Sequence, residues 1–484
     1  MTVLRISTGR LRGRRHDAGL VFSGVPYAAP PVGPARFAEP RPAPAWDGVR
    51  DASRPGPTAP SPERDFGALD MRPFFGQRVP GDDYLAVDVW TPDVAGGLPV
   101  LVFVHGGGFV SGSAHASLHD GTGFSRDGVV LVSVQYRLGA PGWLRLPGVP
   151  DNRGLLDVLA ALRWVRAEIA AFGGDPDDVT LAGQSAGATI VNAALVDPAG
   201  AGLFRRAISQ SGNGLGAFAP AQGDLVTERL AAALGVPPPE LVEVSDERLL
   251  AGVAGLAGTD LAVDGHRDPL LGLSPLGPVL ERQPVDSRAA GAGADVPLLI
   301  GHNAEEGNLY LAPGGALSSS TDDEVRELAG RAHPEPERLL AAYRAQRPGI
   351  GAGRLRSAVL GDALFGAGTR ALADAHAGRG APTYRYEFAW RSDALGGQLG
   401  AAHGVELPFV FDSAGGPGLR GPRALLGERT APELVREVHG AWVRFATTGD
   451  PGWERCTVPD RRTRRFATPS ATVTDPRPLE RAAW

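Results

Sequence analysis

The sequence predicts an α/β fold: a large, mostly parallel, twisted sheet with helices on both faces. Three observations carry that expectation. Residues 99–104 and 129–134 are short, valine-rich, densely apolar runs, the pattern of strands buried on both faces. Leu155, Leu159, Leu162, Val165, Ile169 and Phe172 recur at three- and four-residue steps, a buried helical stripe. Runs of the two kinds then alternate along the chain, which lays strands parallel with helices packed over them.

The elements follow in order. Residues 84–91 alternate apolar and polar, as a half-buried strand does. A glycine-rich loop joins the runs 99–104 and 129–134. The striped helix should open at Asp151 or Asn152, both good N-cap residues. Gly173 and Gly174 should stop it, glycine being the usual residue past a helix end. A short strand at 179–182 leads into a small-residue helix at 186–195. Residues 207–210, 297–301 and 384–390 read as further strands. Residues 432–447 read as a helix with Leu434, Val438, Trp442 and Phe445 on one face. Residues 321–375 carry helical patterns broken by prolines. Residues 246–293 read as loop, as do the Pro/Gly-rich stretches 54–62, 312–315 and 413–423. None of these divides the chain. The expectation is one domain over 1–484, with insertions around 54–80, 246–293 and 311–380.

Composition narrows the function. The 484 residues are 43% hydrophobic and 21% charged, ordinary globular usage that excludes a disordered chain. All 48 basic residues are arginine, set against 54 acids for a net charge of −6. Nothing here forms the basic stripe that nucleic acid requires, and no lysine exists to form a Schiff base. The single cysteine, Cys456, excludes an internal disulfide and fits a reducing compartment. No apolar run approaches 18 residues, so no membrane-spanning helix is expected. The first residues lack the apolar run of a signal peptide. A cytoplasmic protein is the expectation.

The sharpest motif is Gly183-Gln184-Ser185-Ala186-Gly187, a GxSxG between the expected strand 179–182 and a helix. That context suits a nucleophile elbow, whose turn is so tight that the serine's neighbours must be small. The helix N-terminus behind the serine favours developing negative charge. The second motif, His105-Gly106-Gly107-Gly108-Phe109, follows the strand 99–104. Three glycines let backbone N–H groups converge where an oxyanion would form. The N–H of Ala186, the residue after the serine, would join them.

A serine hydroxyl needs a base, and in this chain order an acid should precede it. Of the late histidines, His376 and His439 fall in helical patterns, and His333 precedes Pro334 at a helix start. His403 sits in a glycine-rich loop just past the strand 384–390, where such a base belongs. The acid should follow the strand 297–301, where Glu305 and Glu306 compete and pattern alone does not separate them.

Together these residues resemble the type-B carboxylesterase family, which includes the cholinesterases. The likeness runs over nearly the whole chain. It takes in Phe22–Ala28, Pro30–Gly33, Arg36-Phe37 and a strand ending in Trp90-Thr91-Pro92. It continues through Asn152–Asp157, Phe172–Pro176, Gln210-Ser211-Gly212, Glu306-Gly307 and His403–Phe409. The resemblance implies an α/β-hydrolase fold, with Ser185 as nucleophile, Glu306 as acid and His403 as base. It implies Gly107, Gly108 and Ala186 as oxyanion donors and Ser211 as a hydroxyl beside the acid. It prefers Glu306 to Glu305 because the family's acid directly precedes a glycine.

Three departures matter. The family usually carries glutamate where Gln184 stands; a carboxylate there would help hold His403 protonated, so the pH dependence should differ. Tyr84 stands where secreted relatives carry a disulfide cysteine. No tryptophan lies between Asp47 and Val89, where cholinesterases carry the choline-binding ring, so cation–π capture of a quaternary ammonium is unsupported.

The expected activity is hydrolysis of small-molecule carboxylic esters through an acyl-enzyme on Ser185, with no metal or organic cofactor required. Related acyl chemistry at the same site is the first alternative: carbamate, amide or thioester cleavage, or acyl transfer. A catalytically inactive binding protein is the second, and such proteins typically lack the nucleophile. The loops 65–75, 109–119 and 269–278 should supply pocket walls, and Phe74, Phe75, Phe109, Phe218 and Trp143 are candidate wall residues.

Overall fold

The computed structural model describes residues 2–293 and 295–484. Its strands form one 13-stranded sheet among the described residues. β1 (Thr2–Ile6), β2 (Gly9–His16) and β3 (Gly19–Pro26) run antiparallel at one edge, with β4 (Val49–Asp51) beside β2. β5 (Ala86–Thr91) pairs antiparallel with β3 and, on its other side, with the strand Val130–Val134. From there the sheet is parallel, through β7 (Val130–Val134), β6 (Leu98–Val104), β8 (Gly174–Gln184) and β9 (Arg206–Gln210). It continues through β10 (Leu298–Asn303), β11 (Thr383–Phe388) and β12 (Arg462–Phe466). β13 (Ala471–Thr474) closes it antiparallel.

Strand alternation sorts the core into two layers. Val100, Val102 and Val104 of β6 point into a cluster with Leu155, Leu159 and Leu162 of the helix Arg153–Glu168. Ile190 and Val191 of the helix Ala186–Val196 complete that face. Leu101 and Phe103 point the other way, into a cluster with Val438, Trp442 and Phe445 of the helix Pro432–Thr448. Successive side chains on a strand face opposite ways, so a valine-rich run needs a covered face on each side. That is the arrangement predicted from the densely apolar runs.

Several expectations are corrected. Asn152 does not cap the first long helix: it is left-handed, with φ 54°, and its side chain makes no cap bond. Its amide instead reaches residue 279, donating to the Val279 carbonyl at 2.8 Å and accepting from the Val279 N–H at 2.7 Å. The helix does end as expected, through a last tight turn at Ile169–Phe172 and left-handed Gly173. The stretch 246–293 is not all loop. A helix at Asp246–Gly255 is capped by Ser245 and buries Leu249 and Val253, and a second runs over Pro284–Ala289. His333 closes the helix Asp322–Ala332 rather than opening one. The edge strands β1–β3, β12 and β13 had no counterpart in the sequence reading.

Two buried arginines of this scaffold are held by acceptors. Arg137 donates to both carboxylate oxygens of Asp157, at 2.9 and 2.7 Å, with both side chains fully buried. Arg153 donates to the carbonyls of Pro141, Ala140 and Leu144. Among the described residues no helix is long and apolar enough to cross a membrane.

Candidate active site

The parallel strands β6, β8, β10 and β11 end at one edge of the sheet, and the predicted motifs sit on the loops that leave them. This is the edge where open α/β sheets bind ligands. Ser185 lies between β8 and the helix Ala186–Val196 with φ 57° and ψ −124°. That backbone is strained for a residue with a side chain, and such strain gathers at functional sites. The packing behind the turn leaves no alternative: a Cβ on Gly187 would meet the Val104 carbonyl at 2.0 Å. The Ser185 N–H is anchored to the Gln210 carbonyl at 2.9 Å.

The loop after β6 is equally constrained. Gly107, Gly108 and Phe109 all have positive φ, and a Cβ on Gly107 would meet the Ser111 carbonyl at 2.0 Å. His105 braces the turn. Its Nδ1 lies 2.7 Å from the Gly106 carbonyl and its ring stacks on Tyr136 with centroids 4.6 Å apart. Burial pushes its pKa down to about 4, so it is a neutral strut at ordinary pH. The N–H groups of Gly107, Gly108 and Ala186 have no acceptor among the described residues. All three residues line the same cavity as Ser185.

The carboxylate and the imidazole meet. His403 Nδ1 lies 2.7 Å from Glu306 Oε2, with both side chains almost wholly buried. Glu306 Oε1 accepts from the Ser211 hydroxyl at 2.6 Å and from the Asn303 N–H at 2.6 Å. Glu305 points elsewhere: it pairs with Arg354 and Arg391 and accepts from the Ala401 N–H. Of the two carboxylates the sequence left open, Glu306 faces the ring. The other late histidines lie outside the cavity; His376 and His439 are buried within their helices.

One expected bond is not made. Ser185 Oγ has no hydrogen-bond partner among the described residues, while Gln184 Nε2 lies 3.3 Å from His403 Nε2. The cavity-side nitrogen of the imidazole therefore has the amide, not the hydroxyl, as its hydrogen-bond partner. Ser185 and His403 both line the cavity.

The sequence reading missed five neighbours. Phe365 stacks flat on the His403 ring, with centroids 4.2 Å apart and planes 15° apart. Asn303 reaches past Glu306 to donate to Glu406 Oε2 at 2.5 Å. Burial, and then the charge of Glu306, push the Glu406 carboxyl up to about 7. Arg64 and Tyr310 line the cavity as well. Glu406 stood inside the His403–Phe409 motif and could have been singled out; the other four carry no local signal.

The cavity encloses about 710 Å³ of space, counted out into the solvent at its open mouth. Phe74, Phe75 and Phe109 line it, as expected, with Leu270, Leu273 and Ser274 from the loop 269–278. Phe218 and Trp143 do not: Trp143 packs edge-on behind Phe109, and both border a separate small pocket. No tryptophan lines the cavity among the described residues.

This sheet order and these loops define an enzyme with the α/β-hydrolase fold. A sequence model of the carboxylesterase family matches residues 1–465. The chain belongs to that family, the type-B carboxylesterases that the motifs resembled, and is a carboxylic ester hydrolase. It is 34% identical to the para-nitrobenzyl esterase of Bacillus subtilis, over 93% of this chain and 91% of that one. It is 34% identical to the phenmedipham hydrolase of Pseudarthrobacter oxydans, over 94% of this chain and 92% of that one. The crystal structure of the Geobacillus stearothermophilus carboxylesterase EST55 at pH 6.2 matches with a TM-score of 0.86. That match has 33% identity and covers 100% of both chains.

Proposed function

We propose that the protein cleaves small-molecule carboxylic esters through an acyl-enzyme on Ser185, with His403 as base and Glu306 as its orienting acid. The observation that carries this reading is the His403–Glu306 pair, whose imidazole lines one cavity with Ser185 and with three backbone N–H groups that have no acceptor among the described residues. Glu306 fixes the ring with its Nδ1 protonated, which leaves Nε2 free to take the Ser185 proton. The hydroxyl attacks the ester carbonyl. The new oxyanion is held by the N–H groups of Gly107, Gly108 and Ala186, each placed before charge appears. His403 then hands its proton to the departing alcohol, and water activated by the same ring releases the acid. The Ser185–His403 hydrogen bond closes when substrate fills the cavity, since such bonds are often long in free enzymes.

The same reading places all of this in one domain spanning 1–484. It also places the protein in the cytoplasm, supported by a lone, buried cysteine, Cys456, that asks for no oxidising compartment. Esters of the para-nitrobenzyl type, named for the Bacillus subtilis relative, are the first substrates to try. A fluorophosphonate probe should label Ser185 stoichiometrically, and Ser185→Ala should abolish both labelling and ester turnover. Folded wild-type protein that neither labels nor turns over any short-chain ester would sink the reading and favour a binding role. An anilide and a carbamate beside p-nitrophenyl acetate would test the related acyl chemistries.

A further inference from the structure

Among the described residues, one cation faces the active-site cavity without a partner. Arg64 belongs to the 54–80 insertion and lines the cavity with Ser185 and His403. Its guanidinium lies over the Phe66 ring, 5.7 Å from the centroid. Among the described residues it makes no ion pair and no hydrogen bond. Its acidic sequence neighbours do not serve it: Asp65 turns back to accept the Gly67 N–H at 2.8 Å, and Glu63 makes no ion pair or hydrogen bond among the described residues. Apart from His403, every other residue lining the cavity is apolar, aromatic or a neutral polar group.

The contrast with the rest of the chain is informative. Arg354 and Arg391, near the same site, are both held by Glu305. Arg64 keeps access to water at the cavity mouth, yet the apolar walls around it lower its pKa through desolvation. A guanidinium in that position has five donors, no countercharge and incomplete hydration. A carboxylate arriving there would gain a charge-assisted, bidentate pair that a neutral group cannot make.

We propose that Arg64 is a specificity-determining residue that selects esters carrying a carboxylate remote from the scissile bond. The inference rests on the reading of Ser185 as nucleophile, and it adds a substrate class to that reading: monoesters of dicarboxylic acids, or esters of alcohols and phenols that bear a carboxylate. In either case the ester carbonyl sits over Ser185 while the free carboxylate reaches the mouth.

Two matched pairs test it. On the acyl side, p-nitrophenyl hemisuccinate is compared with p-nitrophenyl butyrate. On the alcohol side, 4-carboxyphenyl butyrate is compared with phenyl butyrate. For each pair the charged-to-neutral ratio of kcat/KM, after subtracting spontaneous hydrolysis, is measured in wild type, Arg64→Gln and Arg64→Lys. Using a ratio within each variant cancels any general effect of the substitution. In at least one pair the wild-type ratio should exceed that of Arg64→Gln by about tenfold, mainly through KM. Arg64→Lys should recover part of it, and about 0.5 M salt should erode it, because the site is open to ions. If both ratios are the same in wild type and Arg64→Gln while the neutral esters are turned over, the proposal falls and the esterase reading stands. If neither neutral ester is turned over and Ser185 does not label, both fall together.

Discussion

The floor and the wall of the cavity are built in different ways. At the floor, Glu306 is held by a hydroxyl, a backbone N–H and an imidazole at once. Gly107, Gly108 and Ser185 all take positive φ, and Gly107 is closely packed against the Ser111 carbonyl. At the wall, Arg64 makes no polar contact among the described residues, Leu273 is 39% exposed, and Phe66 and Phe75 are half-buried and stacked on each other at 5.6 Å. The floor is set by the sheet, so altering it alters chemistry. The wall is set by side chains on long connections, so altering it changes what fits while leaving the sheet alone. Substitutions on each side measure how sharp that division is.

The largest effect belongs to the floor. Gly107→Ala puts a Cβ 2.0 Å from the Ser111 carbonyl at a φ of +122°, so the loop must move and its N–H with it. Losing one oxyanion donor costs about 10²–10³ in kcat, and kcat/KM on p-nitrophenyl butyrate should fall by that much. A melting curve checks that the fold survives. A loss under about tenfold would mean that the floor is no more constrained than the wall.

The next effect is on stability. Glu406 is pushed up to about 7 from a reference of 4.5, so the folded chain holds a proton that the unfolded chain has released. Stability from this group is therefore complete below pH 4.5 and is lost as pH rises through about 7. Glu406→Gln keeps an acceptor for Asn303 Nδ2 and carries no charge. Between about pH 5 and pH 8, wild type should lose on the order of 3 kcal/mol relative to the variant, read by denaturant unfolding at each pH. Parallel curves for the two proteins would show that Glu406 titrates as an ordinary carboxylate.

Gln184 comes third. Its side chain is wholly buried, its Nε2 lies 3.3 Å from His403 Nε2 and its Oε1 has no partner among the described residues. Gln184→Glu puts an anion against the imidazole and holds it protonated to higher pH. Neutral base is needed for attack, so the acid limb of the kcat/KM profile should move up by about one pH unit. An unmoved limb would mean that water or rotation separates the two groups.

What the sequence made legible follows the same division. The central strands were readable because burial on both faces leaves runs such as Val100–Val104 with no polar residue. β2 was not, because Leu11 and Gly13 are its only buried positions and arginines fill much of the rest. The helix Asp246–Gly255 hid behind alanine and glycine, with only Leu249 and Val253 marking its buried side. At the site, the elbow and the glycine loop are contiguous, so tight-turn chemistry names them. The choice between Glu305 and Glu306 needed the family pattern, since both follow the same strand. Phe365 was invisible: it lies on a widened helical turn, Asp362–Gly366, and meets His403 only through tertiary packing. Arg64 was invisible for the complementary reason, that a lone arginine in a polar loop looks the same whether it faces solvent or a cavity.

The smallest effect belongs to the wall and tests the division from the other side. Leu273 lines the cavity but leaves 39% of its surface exposed. It contributes little to the core, so Leu273→Ser should change stability by no more than about 0.5 kcal/mol. A long acyl or alcohol chain would cover part of that leucine, and each methylene so buried is worth about 0.8 kcal/mol. Because the residue is only partly shielded to begin with, the variant should lose about three- to fivefold in its preference for octanoate over acetate esters. Acetate turnover should stay near wild type, since an acetyl group does not reach the mouth. A matching fall on acetate would mean that the wall positions the reacting groups after all, and that floor and wall are one mechanical unit.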